Sequence, residues 1–238
     1  MLLKRTKHLS NNVHTENLMS SVEINGLIKK HDKLFTENLP QCKGIQVYNE
    51  KLVTINGKEY RSWNPYRSKL AAALLKGIKN IRIQPDTQIL YLGAATGTTV
   101  SHLSDIVTQG MVYAVESSPI SMNTLLKVST QRTNITPLLM DANHPQRYKS
   151  FVPTVDLLYQ DVSQRNQAEI FIKNMNSYLK KGGQGILMVK ARSIDVSLQP
   201  KKAYEQVGEE LKKQGITITD IVELSPYEKD HAVLMTTW

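Results

Sequence analysis

Beyond Pro85 the chain alternates short apolar runs with longer segments in which apolar residues recur every three or four positions. The runs Gln88–Leu92, Met111–Glu116, Ile135–Met140, Val155–Gln160 and Gly185–Lys190 have strand length, and the periodic segments near Thr99–Val107, Ser121–Arg132, Gln167–Leu179 and Lys202–Gln214 have helix length. A closing strand pair is expected near Ile216–Glu223 and His231–Thr237. Strands separated by helices of this length imply an α/β fold with a parallel, doubly wound sheet, helices on both faces and a last strand that returns antiparallel.

The pattern differs upstream. From Val22 to about Tyr60, the apolar clusters Val22-Glu23-Ile24, Ile45-Gln46-Val47-Tyr48 and Leu52-Val53-Thr54-Ile55 are punctuated by Asn25-Gly26 and Asn56-Gly57. Asn-Gly pairs favour tight hairpins, so residues 21–60 are predicted to form a small antiparallel β domain. A new unit, residues 61–238, is expected to follow. Within it Asn64 suits a helix cap and Pro65 the first helical position, ahead of an apolar face of Leu70, Ala71, Leu74, Leu75 and Ile78. Residues 1–20 are polar and aperiodic and read as a disordered extension.

Composition narrows the class. With 40% hydrophobic and 21% charged residues the 238-residue chain reads as an ordinary globular protein. No apolar run approaches the roughly 18 residues of a membrane span, and the N-terminus lacks the apolar core of a secretory signal. A single cysteine, Cys42, excludes an internal disulfide and a cysteine-based metal cluster, which fits a reducing, intracellular compartment. No metal ligand set is visible. The net charge of +9 is unevenly placed: residues 61–84 carry Arg61, Arg67, Lys69, Lys76, Lys79 and Arg82 and no acid, whereas residues 85–238 balance. A polyanion such as RNA would meet its strongest positive field ahead of the glycine loop.

That loop, Gly93-Ala94-Ala95-Thr96-Gly97-Thr98-Thr99, follows an apolar strand and opens a helix, so its N–H groups can face an anionic group such as a carboxylate. Ala95 stands where a dinucleotide-binding G-x-G-x-x-G would have its second glycine. The next strand ends in Glu116, an acid placed to accept ribose hydroxyls, the third at Asp141-Ala142, placed to accept from an adenine amino group, and the fourth at Asp161-Val162-Ser163-Gln164. Four successive strand ends thus carry groups suited to one nucleoside, and the missing phosphate-type glycine pattern favours S-adenosylmethionine over a dinucleotide.

Methylation of a ribose hydroxyl needs a base, because the hydroxyl is a weak acid. A lysine serves only after losing its proton, which desolvation and neighbouring cations favour. Lys190, ending the apolar run Ile186-Leu187-Met188-Val189, is the expected base, Asp161 its orienting carboxylate, and Lys69 a second cation for the ribose or its phosphate. Tyr227-Glu228-Lys229-Asp230-His231 adds an acid or imidazole, with His231 the fourth member of the set.

From about Gly57 to the C-terminus the chain resembles the fibrillarin family, most closely its short archaeal members. The resemblance rests on Trp63-Asn64-Pro65, Ser68-Lys69-Leu70-Ala71-Ala72-Ala73, Tyr91-Leu92-Gly93-Ala94 with Gly97-Thr98-Thr99, Val112-Tyr113-Ala114-Val115-Glu116, Arg132-Thr133-Asn134, Asp141-Ala142, Asp161-Val162, Lys190-Ala191-Arg192-Ser193-Ile194-Asp195 and Asp230-His231-Ala232. It implies a Rossmann-like class I methyltransferase that methylates ribose 2′-hydroxyls of rRNA, and of tRNA, with S-adenosylmethionine. It further implies a box C/D ribonucleoprotein, in which a guide RNA, a Nop-type scaffold protein and a kink-turn-binding ribosomal-protein-like subunit present the target. On this resemblance the cofactor contacts fall on Gly93, Ala94, Thr98, Thr99, Glu116, Ser117, Asp141, Ala142 and Asp161 through Gln164, and the catalytic set on Lys69, Asp161, Lys190 and His231. The lack of the Gly/Arg-rich tail of eukaryotic members implies an archaeal-type cytoplasmic protein; a eukaryotic one would be nucleolar.

The sequence departs from the family at Ser117, where members commonly carry an aromatic residue against the adenine, and at Ser118-Pro119-Ile120-Ser121-Met122-Asn123, which lacks a frequent arginine. Two other readings stand beside the guided enzyme: an RNA-binding assembly subunit without catalysis, motivated by Ser117, and a protein methyltransferase, which would share the cofactor half.

Overall fold

A computed structural model describes residues 22–238. The extension expected over 1–20 lies outside the described residues. Strand β1 (Val22–Ile24) leads through Asn25-Gly26 into β2 (Leu27–Lys30), β3 (Lys33–Glu37), β4 (Leu52–Ile55) and β5 (Lys58–Trp63), the last four forming an antiparallel sheet in the order β2-β3-β5-β4. Asn56 and Gly57, at φ 51° and 78°, supply the left-handed backbone that the two-residue β4–β5 hairpin needs.

Two clusters expected in this sheet lie elsewhere. Val22–Ile24 pairs in parallel with β6 (Ile81–Ile83), a strand far along the chain. Ile45–Tyr48 forms a loop whose backbone N–H groups at Val47 and Tyr48 donate to the Glu50 carboxylate at 3.0 and 2.8 Å, which satisfies them without a strand partner. Strand β5 also runs through the boundary expected between residues 60 and 61.

Helix α1 (Lys69–Leu75) begins later than Asn64-Pro65 suggested. Its cap is Ser68, whose Oγ accepts from Ala71 N–H. Asn64 instead closes a turn: its Oδ1 accepts from Tyr66 N–H at 2.9 Å and its carbonyl from Arg67 N–H at 3.1 Å.

The remaining elements are β7 (Gln88–Leu92), α2 (Thr98–Ile106), β8 (Met111–Glu116), α3 (Pro119–Ser129), β9 (Ile135–Leu139), β10 (Val155–Gln160), α4 (Gln167–Tyr178), β11 (Leu179–Lys190), α5 (Ala191–Ile194), α6 (Pro200–Lys213), β12 (Thr217–Glu223) and β13 (His231–Thr237). The sheet order is β12-β13-β11-β10-β7-β8-β9, parallel from β9 to β11, with β13 antiparallel to β11 and to β12. Successive strand residues serve opposite cores. Ile89, Tyr91, Leu157, Tyr159, Ile186 and Met188 pack with residues of α1, α2 and α3, whereas Leu90, Leu92, Leu158, Leu187 and Val189 pack with α4 and α6. Both faces being covered, the strands read as continuous apolar runs. No helix of the described residues is long and apolar enough to cross a membrane.

The small sheet is joined to the large one by buried charge. Arg61 in β5 donates from Nε to Glu50 at 2.6 Å and from Nη1 to Asp105 at 2.8 Å, and Arg132 donates to the other Asp105 oxygen at 2.5 Å. All four side chains are almost wholly buried, and two cations balance two anions. Beside them His102 stacks on Trp63 with ring centroids 4.8 Å apart and hydrogen-bonds Thr36 and Tyr48, both at 2.7 Å. Arg61 is therefore removed from the basic surface that the run 61–84 suggested, while Arg67, Lys76, Lys79 and Arg82 stay exposed.

Candidate active site

The chain leaves β7 toward β8 and β9 and then crosses back to β10 on the other side, so the carboxyl ends of β7 and β10 flank a topological switch point. The two strand ends approach closely: Asp161 N–H donates to Leu92 carbonyl at 2.9 Å, and a Cβ on Gly93, at φ +80°, would lie 2.3 Å from the Asp161 carbonyl oxygen. Only glycine fits there. Gly97, at φ +90°, caps α2 and offers no side-chain oxygen, so the N–H groups of the first turn, at Thr98 and Thr99, face the switch point without a side-chain cap.

Along the adjoining strand ends the acids are held by their own loops. Glu116 accepts from Ala95 N–H at 2.8 Å and from Ser118 N–H at 2.7 Å, which fixes the carboxylate while leaving lone pairs for a ligand. Asp141 accepts from the backbone and side-chain N–H groups of Asn143, both at 2.9 Å. The Asn143 backbone bond, then its side chain and His144, hold the Asp141 carboxyl below the usual carboxylate range against the opposing effect of burial. Asn143 also donates to Gln164 at 2.8 Å and accepts from Asn166 at 2.9 Å, tying the end of β9 to the loop after β10.

Gly93, Glu116, Ser117, Asp141, Ala142, Val162 and Gln164 come together around one cleft, with Val115 and Met140 as apolar walls. The cleft is narrow, about 30 Å³. Ala94 does not line it: this residue is buried, its N–H bound to Val115 and its carbonyl to Gly97. Ser163 is exposed at the rim.

A second cavity, about 240 Å³, opens beside it and is lined by Tyr66, Ser68, Lys69, Thr99, Asp161 and Glu228, among others. Lys69 Nζ donates to Asp161 Oδ2 at 2.9 Å, with the two side chains 22% and 21% exposed. Thr99 Oγ1 donates to Ser68 Oγ at 3.0 Å, linking the first turn of α2 to the cap of α1. The cation hydrogen-bonded to Asp161 in this structure is Lys69, through Oδ2, and Oδ1 carries no hydrogen bond from another side chain among the described residues.

Lys190 and His231 stand on the next two strands and line neither cavity. They are opposed across the β11–β13 ladder, which sets their side chains on one face. His231 Nδ1 donates to Lys229 carbonyl at 2.6 Å, which leaves Nε2 as an acceptor, and the ring lies 3.6 Å from Glu228. Sequence reasoning missed what holds Lys190. The wholly buried Gln167 side chain bonds both the N–H and the carbonyl of Lys190 at 3.0 Å, and the Gln167 backbone carbonyl accepts from the Gln160 side-chain amide. A glutamine opening a helix carries no sequence signal for that role.

A family model described as Fibrillarin matches residues 13–238. The chain is 50% identical over 196 residues, 82% of its length and 85% of the relative's, to a fibrillarin-like rRNA/tRNA 2′-O-methyltransferase of Methanocaldococcus jannaschii. Among solved structures it is similar to Aeropyrum pernix fibrillarin in complex with natively bound S-adenosyl-L-methionine (41% identity, TM-score 0.79, covering 92% of this chain and 98% of that one). It is equally similar in sequence to the chain in a fibrillarin/Nop5p complex (41% identity, TM-score 0.82, covering 91% and 99%).

Proposed function

The chain belongs to the fibrillarin family, and from that premise we propose that it is the catalytic subunit of an RNA-guided ribose 2′-O-methyltransferase acting on rRNA and tRNA with S-adenosylmethionine. The observation that carries the reading is the Lys69–Asp161 ion pair, set at a switch point beside a row of strand-end groups suited to a nucleoside. On this reading the protein works in the cytoplasm with a box C/D guide RNA, a Nop-type scaffold and a kink-turn-binding subunit. A relative solved with Nop5p supports the scaffold.

The residues suit the cofactor. The uncapped first turn of α2 matches a carboxylate, Glu116 a ribose diol, Asp141 an adenine amino group, and Val115, Met140 and Val162 the apolar faces of a base. When bound, S-adenosylmethionine supplies an electrophilic methyl group.

The chain's own residues divide the remaining work. Asp161 fixes the Lys69 ammonium, which sits in the open cavity and holds the target ribose or its phosphate. Lys190 takes the proton from the 2′-hydroxyl; no side-chain partner holds its amine among the described residues, and Gln167 holds its backbone. His231, cross-strand from Lys190 with Nε2 free to accept, receives that proton onward or orients the amine. Thr99 and Ser68 join the starts of α2 and α1, the second of which carries Lys69.

The test is transfer of a labelled methyl group to a matched target RNA, read by position, with guide RNA and both partner proteins present or omitted one at a time. Transfer to a single ribose in the complete mixture supports the guided enzyme. Label in protein, or no transfer from a complex shown to assemble, overturns it.

A further inference from the structure

Next to the cavity that holds Lys69 and Asp161 lies a polar hollow of about 270 Å³, lined by Tyr48, Glu50, Lys51, Ser62, Asn64 and Arg67, among others. Arg67 lines both, so the two spaces share a wall. Lys51 is tied to β5 in both directions: its N–H donates to Ser62 Oγ at 3.0 Å and its carbonyl accepts from Ser62 N–H at 2.9 Å. The Arg67 guanidinium lies 5.9 Å from the centroid of the Tyr48 ring. That ring is anchored at its far end, where the hydroxyl donates to Ser62 carbonyl at 3.0 Å. A guanidinium set over an aromatic face keeps its N–H edge for another partner.

The acids around the two spaces are already engaged. Glu50 accepts from Arg61 and from the N–H groups of Val47 and Tyr48, Asp161 pairs with Lys69, and Glu228 lies 3.6 Å from His231. Arg67 and Lys51 are exposed and have no ion-pair partner among the described residues. Two unspent cations in a polar hollow, one of them a planar fork, suit a phosphate group.

On the guided reading the acceptor nucleotide is paired with the guide, so its base is occupied on its edge and on both faces. What such an A-form duplex offers outward is its phosphates and 2′-hydroxyls. Phosphate contacts set register without reading sequence. An enzyme whose target sequence is chosen by a guide needs that kind of contact, and a strand with its acceptor ribose at Lys69 and Asp161 passes the Arg67 wall.

We propose that the Lys51–Arg67 hollow binds a backbone phosphate of the target strand, beyond the acceptor's own 3′ phosphate. Arg67 is then the positioning residue that sets the acceptor ribose against Lys69 and Asp161. The proposal rests on the guided-methyltransferase reading and adds a second anchor to it.

The experiment measures single-turnover methyl transfer in the assembled complex with guide-paired target and saturating cofactor. Wild type, Arg67→Gln and Lys51→Gln are compared on the natural backbone and on targets carrying one neutral methylphosphonate linkage at a time on either side of the acceptor. Each nucleotide 5′ to a methylphosphonate is 2′-deoxy, and the acceptor keeps its own 3′ phosphate and 2′-hydroxyl. On the natural backbone Arg67→Gln is expected to slow transfer roughly 10-fold or more and Lys51→Gln by less, with cofactor binding by calorimetry unchanged in both. At one linkage the methylphosphonate is expected to slow wild type by a similar factor and Arg67→Gln no further, because guanidinium and phosphate act as one unit. Effects of the modification on pairing fall equally on both proteins and cancel in this comparison. Overturning results are Arg67→Gln matching wild type, equal losses in both proteins at every linkage, or coupling to a guide-strand phosphate instead. If wild type in the assembled complex methylates no natural target, the parent reading fails and this one with it; an active wild type without the coupling refutes this inference alone.

Discussion

Lys69 and Asp161, 92 positions apart in the chain, meet in a 2.9 Å ion pair at the mouth of the candidate site. The pair joins the first turn of α1 to the end of β10, so each residue sets the position of the other.

Removing either member should therefore cost nearly as much as removing both. Lys69→Ala and Asp161→Asn are each expected to lower single-turnover methyl transfer by about 100-fold or more, and the double variant to be little worse. Additive losses would show that the two act separately.

Lys190 is assigned the proton. Lys190→Ala should abolish transfer while sparing cofactor binding, as measured by calorimetry. Lys190→Arg should be as inactive, because a guanidinium keeps its charge and cannot accept a proton. Turnover in the arginine variant would move the base elsewhere, with His231 the next choice.

Ser117 leaves one side of the nucleoside cleft without an aromatic face. Ser117→Phe should tighten S-adenosylmethionine binding roughly five- to tenfold, about 1 kcal/mol of stacking. An unchanged dissociation constant would place the adenine away from this position.

His102 gives the fold a pH dependence. Burial first, then the guanidinium groups of Arg61 and Arg132, push its imidazole well below the usual range. As pH falls below about 6.5 the unfolded chain takes up a proton that the folded chain refuses, so stability is lost on acidification, by up to about 1.4 kcal/mol per pH unit. Urea midpoints measured from neutral pH downward should show this slope in wild type and a smaller one in His102→Gln.

Arg132 is one of two cations against Asp105 and Glu50. Arg132→Ala is expected to destabilise the fold by about 3–5 kcal/mol, because it strands a buried carboxylate. A denaturation midpoint near wild type would mean that water reaches the cluster.

Periodicity found the large sheet because its strands are local signals: Gln88–Leu92, Met111–Glu116, Val155–Gln160 and His231–Thr237 coincide with β7, β8, β10 and β13. It failed on β3, Lys-Leu-Phe-Thr-Glu, where charged ends mask three buried residues, and on β1, whose partner β6 is fixed by tertiary contact rather than by any turn. The Asn64-Pro65 signal was a real one with two outcomes, and the turn won because β5 continues to Trp63 and the chain must reverse. For the site, ordered strand ends located the cleft, since position along a parallel sheet follows from chain order. Which charged group pairs with which does not follow from it. Asp161 is hydrogen-bonded to Lys69, and Arg61, counted among surface cations, found Asp105 and Glu50.

The charge quartet of Arg61, Glu50, Asp105 and Arg132 also restricts how this protein can change over time. Its members come from the Glu50 loop, β5, α2 and the segment after α3, and each is neutralised only by the others. A first substitution at any one of them that removes its charge leaves an uncompensated charge in the interior, so no path of single neutral steps leads from this quartet to an apolar joint. A lineage can drift freely at Lys76 or Lys79 on the surface, but at these four positions it must keep all the charges or exchange them together. The joint between the two sheets is inherited as one character, and α2, which carries Asp105, is inherited with it.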